Sequence, residues 1–199
     1  CITFGLISVQ YSILIYILIY VMKGIIFTEF LDMVEQNFGY EMVDTLLNES
    51  ELTSGGIYTS IGTYNHQEMV NLLVTLNMKT EIPISQLLRT FGLYLFQRFT
   101  KIYSHLIDKA PNAFAFLGSI HSYIHVEVRK LYPDAELPHF DIEQPNANTL
   151  VMHYSSIRSM GDLAYGLIEG AMKHYGETAT ITQELLQEDG SQIKFVIEK

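Results

Sequence analysis

Cysteine is nearly absent from this sequence, since Cys1 is the only one among 199 residues. A single thiol excludes an intramolecular disulfide, and it excludes a zinc site built from several thiolates. Such scarcity is typical of proteins that work in a reducing compartment. A metal ion would therefore have to be bound by histidine or carboxylate, or would arrive within a cofactor.

Basic residues are also few. The 12 Lys and Arg are outnumbered by 22 Asp and Glu, which gives a formal net charge of -10. A surface of this sign repels phosphate backbones, so we expect no nucleic-acid partner. With 48% apolar and 17% charged residues, the composition is that of a folded domain rather than a disordered chain. The length is sufficient for one domain with a sizeable core.

Charge is missing altogether from residues 1–21, which are mostly Ile, Leu, Val, Tyr and Phe. About 20 apolar residues can span a bilayer, and Lys23 would then keep the remainder in the cytoplasm. No basic region precedes the run, so a signal peptide is not indicated. Because Met22-Lys23-Gly24 resembles a natural start, two interpretations remain open. Residues 1–21 are either a membrane anchor or upstream sequence outside the working protein, and residues 22–199 form the working domain.

The first half of that domain is predicted to be helical. Apolar residues recur at spacings of three and four from Met22 to about Lys109. Individual helices are expected to begin near His66 and Pro83, and a further one after Asn112, whose side chain suits an N-cap.

The second half of the domain contains β-branched and aromatic residues at the spacing typical of strands. The predicted elements are a strand at 149–158, a helix at 161–175, and strands at 178–186 and 192–198 joined by a turn at Asp189-Gly190. The sequence thus predicts an α+β domain: an N-terminal helical part, then a mostly antiparallel sheet with one intervening helix.

Two histidines on the helix after Asn112 could bind a metal. His121 and His125 lie four residues apart, so both could share one face, but the zinc pattern HExxH is absent because Ser122 follows His121. A histidine on an apolar helix is more often a packed or exposed residue than a ligand. His125 is distinguished by its apolar neighbours, because a neutral imidazole in a dry pocket is what an axial heme ligand requires.

A second polar pattern is Tyr154-x-Ser156-x-Arg158. Alternate residues of a strand share one face, so the three side chains are expected to converge. Two hydroxyls and a planar guanidinium suit a ligand with two carboxylates. Taken alone, the pattern is more often that of a partly solvated strand face.

Together these features resemble a known family. The run Ile124 to Pro133, IHVEVRKLYP, followed by Pro138 and then Tyr154-x-Ser156-x-Arg158, is similar to H-NOX domains. These are heme nitric oxide/oxygen binding domains, related to the heme domain of soluble guanylate cyclase. The resemblance begins at Met22-Lys23-Gly24, includes the GLIEG run at 166–170, and extends to the final hairpin. It implies a heme between the helical part and the sheet.

The resemblance also implies roles for single residues. His125, eight residues before Pro133, corresponds to the axial ligand of a b-type heme, in preference to His121. Tyr154, Ser156 and Arg158 would grip the heme propionates, and Pro138 would pack against and distort the porphyrin. The residues expected to press on the distal face are Ile26, Phe30, Phe96, Phe99, Leu163 and Leu167.

Leu163 bears on the choice of gas. It lies nine residues after Tyr154, where oxygen-binding members of the family carry a tyrosine. Without that donor, bound oxygen loses a charge-assisted hydrogen bond of roughly 1–3 kcal/mol. The resemblance therefore implies a nitric oxide sensor, with carbon monoxide as a second ligand and oxygen disfavoured. Such a sensor is not an enzyme and would signal to a partner such as a histidine kinase or a cyclic-di-GMP enzyme.

Three other functions stay open at this point. One is an oxygen-binding member of the same fold. Another is a small metalloenzyme using His121, His125 and Glu127, although Glu127 is poorly placed to share a helix face with His125 and no nucleophile accompanies it. The third is a helical adaptor without a cofactor. The visible absorption spectrum of the purified protein separates the heme proteins from the other two.

Overall fold

The structure is a computed structural model that describes residues 21–199. The apolar segment 1–21 therefore lies outside the described residues, apart from Val21. Among the described helices, none combines the length and the hydrophobicity needed to cross a bilayer.

The first half of the described chain is mainly helical, as predicted. It comprises β1 (Val21–Lys23), α1 (Gly24–Phe38), α2 (Tyr40–Glu49), β2 (Thr63–Asn65), α3 (His66–Thr80), α4 (Ile84–Ile102) and α5 (Ser104–Ile107). Helix α4 buries Leu87, Leu88, Phe91, Leu95 and Phe96, whose spacing of three and four places them on one face. The β1–β2 ribbon was not predicted, because three residues are too few to show strand periodicity.

The second half confirms the α+β class. It comprises α6 (Ala113–Gly118), a π-helical turn (Ile120–Ile124), α7 (His125–Leu131), β3 (His139–Asn146), β4 (Thr149–Ser155), α8 (Gly161–His174), β5 (Thr180–Leu185) and β6 (Gln192–Glu198). The last four strands form an antiparallel sheet in the order β3-β4-β6-β5. The predicted β5–β6 hairpin is confirmed, whereas β3 was not predicted.

The helix expected after Asn112 differs from the prediction. Asn112 does cap it, since its side-chain oxygen accepts a hydrogen bond from the Ala115 N–H at 2.9 Å. The helix is however divided into α6, the π turn and α7. The Ile124 N–H bonds the Ser119 carbonyl, five residues back, at 3.2 Å. A π turn rotates the residues that follow it, so spacing along one continuous helix does not describe this segment.

The strand predicted at 149–158 is also shorter than expected. It ends at Ser155, and Ser156 and Arg158 lie in the turn that follows. Beyond this turn Ser159 has a positive φ of 50°, which is incompatible with an extended strand. The premise that Tyr154, Ser156 and Arg158 alternate along one strand is therefore wrong.

Two hydrophobic clusters form the core. One lies among the N-terminal helices and includes Phe27, Phe30 and Phe91. The other lies between α8 and the sheet and includes Leu150 and Phe195. Helices α4 and α8 cross between the clusters, with Phe99 and Leu167 packed against both.

The crossing of α4 and α8 depends on glycine. A Cβ added at Gly166 would lie 2.1 Å from the carbonyl oxygen of Arg89, and one added at Gly92 would lie 2.4 Å from that of Leu163. Both obstacles are backbone atoms, which cannot rotate away. The two helices can therefore approach this closely only without side chains at these positions.

We predict that Gly166→Ala lowers the free energy of unfolding by roughly 1–3 kcal/mol, because the added methyl forces the helices apart. Urea unfolding followed by circular dichroism measures the change. Gly118→Ala is the control, since a Cβ there meets nothing within 4 Å. That variant should be neutral or slightly more stable. Equal unfolding midpoints for Gly166→Ala and the unmodified protein would contradict the packing argument.

Candidate functional site

A cavity of about 280 Å³ lies between the helical part and the sheet. Its wall is built by β1, the helices α1 and α4 to α8, the π turn and the inner face of β3 and β4, together with the turns between them. Apolar side chains dominate this wall. Such a cavity suits a large apolar ligand whose few polar groups are met by specific side chains.

His125 is the first residue of α7 and lines this cavity. Its side chain is buried, and its Nδ1 atom has no hydrogen-bond partner among the described residues. Burial, with a smaller effect from the nearby Arg129 guanidinium, lowers the pKa of His125 to about 4. The imidazole is therefore neutral at pH 7, and a ring nitrogen with a free lone pair can bind a metal.

His121 does not reach the cavity wall. Its ring lies outside, with its centroid 6.3 Å from that of His125 and 4.3 Å from that of His139. Glu127 instead pairs with Lys130 at 2.6 Å. Within residues 21–199, no group of three or more His, Cys, Asp or Glu side chains is arranged to hold a metal ion. The three residues considered for a metalloenzyme are thus not assembled into a site.

Tyr154, Ser156 and Arg158 all line the cavity, although they do so from a strand end and a turn. The hydroxyl oxygen of buried Tyr154 accepts a hydrogen bond from the Met160 N–H at 3.1 Å, and it also bonds Ser156. Burial raises the pKa of the Tyr154 phenol, which therefore keeps its proton.

The Arg158 guanidinium is a buried cation, with 8% of its side chain exposed. It donates to the carbonyl oxygens of Glu136 at 2.6 Å and Val21 at 3.2 Å, while the Glu136 carboxylate lies at 3.4 Å. Burial lowers the pKa of Arg158, and Glu136 partly opposes that effect. Most partners of this cation are neutral, so a ligand carboxylate would find an incompletely compensated positive charge here.

Most of the remaining predicted site residues also line the cavity: Ile26, Phe96, Phe99, Pro138, Leu163 and Leu167. Phe30 does not. It is fully buried in the helical cluster, where its ring meets that of Phe91 edge-on at 5.2 Å. Phe30, which was expected to press on the distal face of the heme, therefore does not line the cavity.

Two tyrosines on the wall were not predicted. Tyr103 and Tyr132 line the cavity with their hydroxyl oxygens 2.9 Å apart. Burial and this hydrogen bond raise the pKa of Tyr103, so the phenol stays protonated. No local pattern relates two residues 29 positions apart, although Tyr132 belongs to the run IHVEVRKLYP that resembles H-NOX domains.

The buried imidazole makes the stability of the heme-free protein depend on pH. The unfolded chain protonates His125 near pH 6.5, whereas the folded protein does so only near pH 4. The contribution of His125 to stability is therefore full above pH 6.5 and is lost as the pH drops towards 4. We expect His125 to contribute a loss of roughly 2 kcal/mol between pH 8 and pH 5.

Urea unfolding of the heme-free protein at both pH values measures this loss. The control is His125→Gln, which cannot titrate in this range. The loss of stability between pH 8 and pH 5 should be smaller in that variant. An identical loss in both proteins would show that His125 is not buried as a neutral group.

An apolar cavity with a neutral imidazole on one helix and a buried cation beside the sheet has the features that a heme-binding domain requires. A family model described as Haem-NO-binding matches residues 23–183. The chain therefore belongs to the H-NOX family, whose domains bind heme and act as gas sensors rather than as enzymes.

Solved H-NOX structures resemble the chain closely. The Fe(II) unliganded protein from K. algicida is 47% identical, with a TM-score of 0.86, over 89% of this chain and 96% of that one. The H-NOX from Shewanella woodyi is 38% identical, with a TM-score of 0.77, over 89% and 94%. The S. oneidensis protein is 29% identical, with a TM-score of 0.83, over 89% and 98%. No protein with a curated description matches the chain.

Proposed function

We propose that this protein senses nitric oxide through a b-type heme whose iron is bound by His125. Tyr154, Ser156 and Arg158 would hold the propionates, and Pro138 would contact the porphyrin. The observation that best supports this assignment is the neutral imidazole of His125, buried on the wall of an apolar cavity with an unpartnered nitrogen. When bound, the heme would supply a ferrous iron that can bind a diatomic gas.

The preference for nitric oxide rests on α8. This helix presents Leu163 and Leu167 to the cavity, and neither can donate a hydrogen bond. Its tyrosine, Tyr165, is engaged elsewhere: the hydroxyl donates to the Ile181 carbonyl at 3.2 Å, and the ring packs under the Arg89 guanidinium. No hydroxyl from α8 is thus available to stabilise bound oxygen, whereas nitric oxide binds ferrous heme without such a donor.

Solved relatives support the choice of ligands. The H-NOX protein from S. oneidensis was solved in the Fe(II)NO ligation state, and the H-NOX protein from S. woodyi was solved in the Fe(II)CO ligation state. We therefore propose carbon monoxide as a second ligand of this protein. The proposal further includes a separate signalling partner, such as a histidine kinase or a cyclic-di-GMP enzyme, and a cytoplasmic location for residues 22–199.

Oxygen binding is the second candidate function, and the Tyr103–Tyr132 pair favours it. One of these phenols donates to the other, which leaves one phenolic proton unused between them. Both line the cavity, so that proton is a potential donor. Tyr132 directly follows α7, however, which is the helix that begins with His125 rather than the helix that carries Leu163.

Absorption spectroscopy tests the proposed function. The full chain, purified after growth with a heme precursor, should show a Soret band that shifts when nitric oxide is added to the reduced protein. In air, the reduced protein should not form a stable oxygen complex. A stable oxygen complex would support the alternative, and a colourless protein that does not take up hemin would refute heme binding altogether.

Arg158→Ala should release heme faster, because it removes a charged hydrogen-bond donor from the cavity. A bond of this kind contributes about 1.5–3 kcal/mol, so transfer of heme to an acceptor protein should accelerate by roughly ten- to a hundredfold. Arg89→Ala is the matched control. Arg89 is paired with Asp162 at 2.9 Å outside the cavity, and its loss should leave the transfer rate unchanged. Equal rates for the two variants would contradict the role of Arg158.

A further inference from the structure

Two histidines meet outside the cavity, where the π turn approaches β3. The ring of His121 contacts the ring of His139 edge-on, with centroids 4.3 Å apart and planes at 71°. Neither residue lines the cavity, and half of the His139 side chain is exposed. They are 18 residues apart in sequence, so only the packing of the π turn against β3 brings them together.

An acidic side chain is placed to orient His139. Asp141 lies two residues further along β3, on the same face, with its Oδ1 atom 3.0 Å from His139 Nε2. When Nε2 donates its proton to this carboxylate, the lone pair of the imidazole is on Nδ1. A carboxylate that binds one ring nitrogen and leaves the other free is the usual second partner of a metal-binding histidine.

His121 has a nitrogen without a partner. Its Nδ1 atom is buried and makes no hydrogen bond with the described residues. A buried polar atom of this kind costs free energy unless a ligand, ion or water satisfies it. The residue also lies within the π turn, an irregularity that occurs frequently at functional sites.

We propose that His121 and His139 bind a divalent transition metal ion, with zinc the best match and Asp141 the residue that positions His139. Imidazole nitrogens suit zinc, copper and nickel, and zinc adds no redox chemistry. Because no group of three such ligands is assembled among residues 21–199, water molecules would complete the coordination. The affinity should therefore be lower than that of a closed four-ligand site. This site is separate from the heme cavity and does not depend on heme binding.

Equilibrium dialysis against zinc chloride tests the proposal on the full chain after treatment with a chelator, with bound zinc measured by atomic emission. One zinc ion should bind per chain, with or without heme, and His121→Ala and His139→Ala should each abolish binding. Asp141→Asn should keep the stoichiometry but weaken the affinity by roughly 10- to 100-fold, as second-sphere substitutions do. His105→Ala, at an exposed position that is not part of the pair, is the control and should bind zinc normally.

His125→Ala separates this site from the cavity. Zinc binding that persists in His125→Ala supports the His121–His139 pair, whereas zinc binding lost only in His125→Ala would overturn the assignment. The assignment of the zinc site is also overturned if the unmodified protein binds no more zinc than His139→Ala. Because half of the His139 side chain is exposed on a strand face, His139→Ala should fold normally, and thermal unfolding checks the folding of both variants.

Discussion

Replacing His125 with alanine is expected to abolish heme binding, and free imidazole is expected to restore it. The substitution removes the neutral, buried imidazole that lines the cavity and leaves a space of its own size. An exogenous imidazole can enter that space and supply the same nitrogen to the iron. Loss of the Soret band, and its return when imidazole is added, measures the two effects.

His121→Ala is the matched control for this experiment. It removes an imidazole four residues away on the adjoining turn, outside the cavity, and should leave the Soret band unchanged. An unchanged spectrum in His125→Ala would refute the assignment of the axial ligand. If only His121→Ala lost heme, His121 rather than His125 would be the axial ligand, and the present assignment would be wrong.

Leu163→Tyr is expected to slow the release of oxygen from the reduced, heme-loaded protein by roughly ten- to a hundredfold. A phenol at this position could donate to the partial negative charge on bound oxygen, which contributes about 1–3 kcal/mol, and each 1.4 kcal/mol is a factor of ten. The helix cannot easily move aside to redirect the new side chain. The backbone of α8 at Leu163 packs closely against Gly92 of α4. A Cβ added at Gly92 would lie 2.4 Å from the Leu163 carbonyl oxygen.

The control for this substitution is Leu163→Phe, which has nearly the size of tyrosine without the hydroxyl. Oxygen dissociation followed by stopped-flow absorbance should be slow in Leu163→Tyr and fast in Leu163→Phe. Nitric oxide dissociation should differ little between them, because that ligand does not depend on a donor. Equal oxygen rates in the two variants would show that residue 163 does not face the gas-binding position.

Sheet strands were the elements least accessible to prediction. The β5–β6 hairpin was predicted because Asp189-Gly190 supplies a turn and apolar residues alternate along β6. In contrast, β3 contains Pro145, and apolar residues alternate only at Phe140 and Ile142, which is too short a pattern to predict a strand of eight residues. It lies at the edge of the sheet, where proline is tolerated and where pairing with β4 stabilises it.

Phe30 shows why the resemblance alone could not assign every residue of the distal wall. It lies four residues after Ile26 on α1, so the two positions are close on the helix surface. Whether Phe30 meets the cavity or the helical core depends on the position of α4. That helix presents Phe91, and the edge-on contact between the two rings keeps Phe30 in the core.

Features that depend on neighbours within one or two turns of chain were determined by the sequence alone. These are the helical first half, the Asn112 cap, the final hairpin and the motif residues that resemble an H-NOX domain. The tertiary structure decided which of His121 and His125 reaches the cavity, how far burial lowers the pKa of His125, and which tyrosines and histidines meet. The reason is physical: burial, desolvation and side-chain contact are produced by segments far apart in the chain, so no local pattern encodes them.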